Sequence, residues 1–320
     1  MAKAEKVIVA CMRNEALFVV EWVAHHLAVG FDRIVVFTND CDDGTDVILR
    51  EMSKFAPVEC YDNPPPYEAG SIQKQALQRA YAMKQVKHAA WVLHIDADEY
   101  VNVTAGNRKI DDLIALHPGV DAIALMWRHF GSAGQTVWNG GSVIASFPFC
   151  ERDLPDVENG ACVGFKTLFR PETFKVMSVH SPKIPRRGKV PIVVNAKGTA
   201  LPTDNMMQKR GSGYRVDPNM LTWDNALLHH HHVKSDDLHR LKHARGDANR
   251  RPNSKREIGS AFYCEANRND VRVDSLVQFR QSVLPWEQKL RSMPSVCDAE
   301  QAAWAWFCAN FHREEAQLAA

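Results

Sequence analysis

The sequence predicts an α/β fold built on a mostly parallel sheet flanked by helices, with a mainly helical C-terminal extension. Three observations carry that expectation. Continuous apolar runs such as Val7-Ile8-Val9 and Ile34-Val35-Val36-Phe37 have the composition of parallel strands covered on both faces. Amphipathic stretches separate such runs over residues 1–130, so that strand–helix–strand units repeat. Over the last hundred residues, helical spacing prevails.

Lys6–Met12 reads as the first strand. A helix follows from Asn14, whose side chain is expected to cap it. Leu17, Val20, Ala24, Leu27 and Ala28 give it one buried stripe, and Gly30 ends it. Arg33–Thr38 is the second strand, and Gly44–Phe55 a helix with Asp43 or Thr45 as cap. Val58–Tyr61 is a short third strand before the loop Asn63-Pro64-Pro65-Pro66. Ser71 opens a helix with Ile72, Ala76, Ala80 and Met83 on one face. Ala90–Ile95 is the fourth strand and runs directly into Asp96-Ala97-Asp98-Glu99. A helix around Ile110–Leu116 precedes a strand at Ala122–Trp127.

Beyond residue 130 the pattern loosens. Val163–Phe169 and Thr173–Val179 read as antiparallel strands. Residues 182–219, rich in Gly, Pro, Asn and basic side chains, read as a long mobile surface segment able to fold over a ligand. Helices are expected at Asp236–Arg245, Asp270–Ser292 and Ala299–Phe311, with Pro285 kinking or dividing the second. This organisation divides the chain into a sheet domain over residues 1–250 and a helical extension over residues 251–320.

Composition excludes several function classes. Lys and Arg number 39 against 38 Asp and Glu, so overall charge draws no polyanion. The basic segments lack interleaved aromatics, and no nucleic-acid partner is expected. No run approaches the roughly 18–20 apolar residues that cross a bilayer. The polar start carries no signal peptide, which makes a cytoplasmic location the expectation. The eight cysteines form no Cys-x-x-Cys pair and are expected reduced and buried. Neither a Gly-x-Gly-x-x-Gly nor a Gly-x-x-x-x-Gly-Lys-Ser/Thr loop is present, so phosphates must be met by metal and side chains.

In open sheets of this kind, ligands gather at the carboxyl ends of the strands. Three such ends carry polar residues: Arg13-Asn14-Glu15, Asn39-Asp40-Cys41-Asp42-Asp43, and Asp96-Ala97-Asp98-Glu99. Two aspartates flanking a small residue at the end of a buried strand repel each other unless a cation lies near. Hard oxygen ligands suit Mg²⁺ or Mn²⁺, which could neutralise a departing diphosphate. The run His229-His230-His231-His232 can bring only alternate members to one site if it is extended. An imidazole ligand would favour Mn²⁺ over Mg²⁺.

Two basic segments follow, Lys183 to Arg215 and Arg240 to Arg256. They could clamp a diphosphate, an anionic acceptor or a membrane surface. Lys234, Lys242 and Arg245 are the candidates for diphosphate contact. Trp127 and Trp138 read more readily as core than as platforms for an acceptor ring.

Together these residues resemble the family 2-like glycosyltransferases of GT-A fold, in particular a bacterial branch that begins with an Asn-Glu pair. The matching stretches are Met12-Arg13-Asn14-Glu15 with Glu21-Trp22-Val23 and His26, then Asp42-Asp43-Gly44-Thr45, Trp91–Tyr100, and Trp127–Ser132. Lys166, His180 and the closing set Lys234, Ser235, Lys242, Arg245 and Gly246 match as well. The resemblance implies that residues 1–130 bind the donor and residues 131–250 the acceptor. It places Asn14 and Glu15 beside the nucleotide, Asn39 and Asp43 at the base and ribose, and Asp96 at the ribose or metal. Asp98 becomes the main metal ligand, completed by His230.

The implied reaction moves a sugar from a nucleotide-diphosphate sugar, a UDP-sugar foremost, to a hydroxyl on a saccharide, lipid or protein, with inversion. Surface polysaccharide synthesis is one setting for it, with peripheral contact at the inner face of a membrane. The base is open among Asp153, Asp156 and Glu158. The sequence leaves two rivals, a metal-dependent phosphoesterase and a non-catalytic nucleotide-binding module.

Overall fold

The computed structural model describes residues 5–67, 71–156, 162–204, 214–215, 220–246 and 256–311. β1 (Lys6–Met12), β2 (Arg33–Thr38), β3 (Val58–Asp62) and β4 (Trp91–His94) lie parallel in the spatial order β3-β2-β1-β4. The connections run through α1 (Ala16–Val29), α2 (Thr45–Ser53) and α3 (Ile72–Ala82). This half follows the apolar runs closely, and Val7–Ala10 are fully buried.

Past β4 the sheet becomes mixed. The strand Phe165–Phe169 runs antiparallel between β4 and β6 (Ala122–His129). The opposite edge of β6 is shared by two parallel strands in succession. Val193–Asn195 pairs with Ala122–Ala124, and Ala226–His230 pairs with Trp127–His129. β5 (Glu99–Val103), which directly follows the acidic run, lies antiparallel to Ala226–His230. Among the described residues this makes a nine-stranded sheet.

Several expectations need correction. Asn14 does not cap α1; its Oδ1 accepts from the Asp42 amide at 2.9 Å. The head of α1 is held instead by Asp43, whose Oδ2 accepts from Ala16 N at 2.8 Å. Nor is α1 buried along one stripe, since every residue but Leu17 is buried. The reason lies far along the chain. Helices Ser275–Arg291 and Pro294–Asn310 contribute Leu276, Phe279, Val283, Leu290, Val296 and Phe307 to the same apolar cluster as Trp22, Val23 and Leu27.

Pro285 lies within the Ser275–Arg291 helix without dividing it. Full burial of Val283 and Leu290 on either side outweighs the roughly 3 kcal/mol that an interior proline costs. The segment 182–219, expected to be irregular, carries the strands Lys183–Pro185 and Val193–Asn195, the second inside the main sheet. Three-residue strands leave too short a period to read. The stretches 205–213 and 216–219 lie outside the described residues. Cys11, Cys41, Cys60, Cys150, Cys264, Cys297 and Cys308 are free; of these seven, Cys150 is buried and Cys264 is exposed. No described helix is long and apolar enough to cross a membrane.

The terminal helices are also tied to α1 by charge. Glu21, buried on α1, accepts from Val143 N (2.7 Å), from Ser142 and from Arg280 (3.1 Å). Arg280 also makes a two-pronged contact with buried Glu287 at 2.7 and 3.0 Å. Burial pushes the Glu21 carboxyl above its usual range despite these partners. Replacing Arg280 by Met leaves both carboxylates without their shared cation. The variant is expected to lose about 3 kcal/mol of stability, read as a lower urea midpoint at unchanged slope. An unchanged midpoint would show that the network contributes nothing.

Candidate active site

The loops after β1 and β2 are knitted together by Asp43. Its Oδ1 accepts from Thr45 N (2.9 Å) and Thr45 Oγ1 (2.6 Å), while its other oxygen holds α1. Both carboxylate oxygens are thus engaged within the protein, and the residue is 5% exposed. Asn39, at the end of β2, instead lines an open cleft of about 180 Å³ with Asp40, Asn63 and Pro64.

The acidic run turns from β4 into β5, and its two aspartates acquire different partners. Asp96 Oδ1 accepts from Gln73 of α3 at 2.9 Å, and Oδ2 from Lys166 at 2.8 Å. Burial works against ionisation of Asp96, but Lys166 and His94 outweigh it and hold the carboxyl below its usual range. Lys166 is fully buried, and burial disfavours its charge; Asp96 and Glu99 overcome that and raise it. Glu99, also fully buried, accepts from Asp96 N at 2.9 Å, and burial drives its carboxyl well up.

Asp98 faces the other way. Lys242 Nζ stands 2.5 Å from its Oδ2, His230 Nε2 3.6 Å and His232 Nδ1 3.9 Å. Burial again opposes ionisation, and Lys242 with His230 reverses it, leaving the carboxyl well below its usual range. Lys234 lies behind, fully enclosed over the Phe18 ring at 4.5 Å, and burial pushes it down to about 8. Arg245 meets Glu15 at 2.5 Å and donates to the Asn14 carbonyl (2.9 Å) and that of Arg13. Glu15 and Asp98 therefore share a pocket of Lys234, Lys242 and Arg245. The helix Asp236–Arg245 is laid across the ends of β1 and β4 by those pairs.

The four histidines alternate as an extended chain requires. His229 accepts from Asn102 at 2.8 Å and stacks on Phe130 at 4.2 Å. His231 packs on Phe130 and Tyr100. His230 and His232 face Asp98, and one ligand atom from each of the three lies within 4.8 Å of the others. Ligands bonded to one small divalent ion stand about 3–3.5 Å apart, so a modest contraction suffices. Burial, and then Lys242, hold the His232 imidazole neutral, as a ligand must be. A carboxylate with two imidazoles fits Mn²⁺ better than Mg²⁺. Asp96 stands outside this group.

The expected base candidates divide. Asp153 and Asp156 are exposed, and Glu158 lies outside the described residues. The same loop carries Glu151, which sequence reasoning passed over. It is 7% exposed, accepts from His129 N at 2.7 Å, and burial raises its carboxyl. His129 pairs with His230 across β6 and its ring stands 5.2 Å from that of His230. His232 was also missed, although its place two residues after His230 on an extended chain was the signal. Trp127 packs 4.5 Å from His230, and a Cβ on Gly164 would come within 1.7 Å of its ring, which explains glycine there. Trp138 is core.

Among known families, the model of glycosyltransferase family 92 matches residues 7–240. A family 92 protein of rice (Oryza sativa subsp. japonica) is 27% identical over 139 residues, covering 42% of this chain and 23% of that protein. The chain thus spans about a quarter of the length of the curated relative it matches. Among solved structures, S. aureus TarS (residues 1–349) overlaps 53% of this chain and 48% of its own at 15% identity and a TM-score of 0.32. Glucosyl-3-phosphoglycerate synthase from Mycobacterium tuberculosis, solved with Mn²⁺, UDP and phosphoglyceric acid, overlaps 39% and 44% at 15% identity and a TM-score of 0.29.

The buried imidazoles give the site's surroundings a defined response to acid. His25, fully buried on α1, bonds the Val101 carbonyl at 2.8 Å, and burial pushes it down to about 4. An unfolded chain takes up that proton near pH 6.5, whereas the native state refuses it until about pH 4. The stabilisation is whole above pH 6.5 and is lost as pH falls from 6.5 toward 4. Relative to His25→Gln, the protein is expected to lose up to roughly 3 kcal/mol across that window. Urea titrations of both proteins at pH 7.5, 6 and 4.5 measure it, and parallel pH profiles would refute it.

Proposed function

The chain belongs to glycosyltransferase family 92, and from that membership we propose that it transfers a sugar from a nucleotide-diphosphate sugar, UDP-linked foremost, to a hydroxyl acceptor. The observation that carries the reading is the convergence of Asp98, His230 and His232 beside Lys234, Lys242 and Arg245. A carboxylate and two imidazoles would hold the metal, and the cationic side chains lie where a diphosphate needs them. When bound, a divalent metal supplies positive charge that stabilises the departing diphosphate. The cleft lined by Asn39 and Asn63 accepts the nucleoside. Asp96, held by Gln73 and Lys166, keeps a partly exposed carboxylate. The acceptor is a hydroxyl on a saccharide, lipid or protein.

Inversion requires a carboxylate to take the acceptor proton as the oxygen attacks the anomeric carbon. Glu151 fits that task better than Asp153 or Asp156, because it is buried, has a raised carboxyl and lies one strand away from His230.

Calorimetric titration with UDP, GDP and CDP, each with and without Mn²⁺, tests the donor site. One nucleoside diphosphate is expected to bind in a metal-dependent way, and Asp98→Ala to weaken it at least roughly a hundredfold. Failure of all three to bind folded protein would remove the donor-site assignment. For the base, Glu151→Gln is expected to lower kcat by roughly 10²–10⁴-fold with nucleotide affinity unchanged. Wild-type turnover in that variant would exclude Glu151.

A further inference from the structure

We propose that Lys242 is the resident cation of the metal-free site and competes with the divalent ion for Asp98 and His232, so that metal and nucleoside diphosphate load together. The inference rests on the donor-site reading above and adds a role for one residue within it. Lys242 Nζ stands 2.5 Å from Asp98 Oδ2, 2.9 Å from His232 Nδ1 and 3.0 Å from the His232 carbonyl oxygen. An ammonium has three N–H donors, and these three acceptors take them all. All three belong to residues that would ligate the metal, and two of them are a carboxylate oxygen and an imidazole nitrogen of the kind a metal takes. An ion about 2.1 Å from both atoms would fall in the space that Nζ fills. Two cations that close repel strongly, so lysine and metal exclude each other.

The fold explains why a lysine waits there. Asp98 has 8% of its side chain exposed, and a carboxylate so enclosed is costly without a counter-charge. Lys234 and Arg245 are shared with Glu15, so Lys242 is the cation in direct contact with Asp98. Lys242 can leave without disturbing its helix, because that helix is pinned separately by Arg245 to Glu15 and to the carbonyls of Arg13 and Asn14. Its own side chain is 18% exposed, which gives it a way out.

Once displaced, the ammonium needs an anion, and the diphosphate supplies one. The exchange balances charge at each step: the metal takes the carboxylate as the lysine takes a phosphate. Metal alone strands the lysine, and diphosphate alone leaves the lysine on Asp98. Each ligand therefore favours the other, a coupling that must be reciprocal.

Titration with MnCl₂, alone and at saturating UDP, on wild type, Lys242→Met and Lys242→Gln tests this. Both variants are expected to bind Mn²⁺ alone roughly tenfold tighter than wild type or better. UDP is expected to tighten Mn²⁺ by roughly tenfold or more in wild type and clearly less in the variants. If Lys242→Met does not fold, Lys242→Gln, which can still donate to Asp98 without charge, carries the comparison. Variants that bind Mn²⁺ alone no tighter than wild type, or an undiminished UDP effect in them, overturn the competition. Should wild type bind no Mn²⁺ even with UDP, the donor-site reading itself falls. Metal-dependent UDP binding in wild type, with unchanged metal affinity in the variants, would sink the competition alone.

Discussion

Three carboxylates, those of Asp96, Asp98 and Glu99, fall within four residues at the end of a buried strand, and neutralising them governs how distant parts of the chain are placed. Like charges that close cannot all ionise without cations or protons. Lys166 reaches Asp96 and Glu99 from the antiparallel strand Phe165–Phe169. Lys242 reaches Asp98 from a helix 144 residues further along the chain. The reversal between β4 and β6 is thus where the fold delivers a buried lysine to the acids. Glu99 differs from the two aspartates in that burial drives its carboxyl well up.

The same requirement makes the two aspartates of the Asp-x-Asp run inequivalent. Read as a triplet, Asp96 and Asp98 look like a pair of ligands. In the fold each is claimed by a different element: Asp96 by α3 and the strand carrying Lys166, Asp98 by His230, His232 and Lys242. Asp96 has 36% of its side chain exposed against 8% for Asp98. The deeper carboxylate has the imidazoles, and the outer one has fixed hydrogen bonds from Gln73 and Lys166. Spacing alone could not show this, because the division comes from partners 23 to 144 residues away.

What was legible in the sequence follows the range of the interactions. β1 to β4 and the helices between them could be read because each depends on local period and on turn residues such as Gly30, which takes φ 109° at the end of α1. Ser71 was legible as the start of α3 for the same reason, and in the fold its Oγ caps the helix by accepting from Lys74 N. The cap of α1 was not, since it arrives from Asp43 in the next loop. The insertion of Val193–Asn195 into the sheet left no trace, because three residues carry no period. At the site, the run holding Asp98 stood out by its position at a strand end, whereas His230 was singled out only through the family resemblance. His232 could have been found by alternation. Glu151 could not, because what distinguishes it from Asp153 two residues later is burial against β6, a tertiary property.

Burial of α1 on all sides connects the terminal helices to the site more closely than an appendage would allow. The helix begins at the Glu15 turn and then hydrogen-bonds into β5, the strand that leaves the acidic run. Trp22 donates to the Glu99 carbonyl at 2.9 Å, His25 to the Val101 carbonyl at 2.8 Å, and Val101 N to His26 at 3.3 Å. These are side-chain-to-backbone contacts in a dry interior, where each lost partner exposes a polar group to apolar surroundings. Their geometry depends on α1 staying pressed against β5. The pressing face is supplied by Phe279, Val283 and the Glu21–Arg280–Glu287 network from the far end of the chain. The position of Asp98 is therefore set from both sides. Histidines and lysines of residues 230–242 meet its carboxylate, while the C-terminal helices fix the strand that carries it.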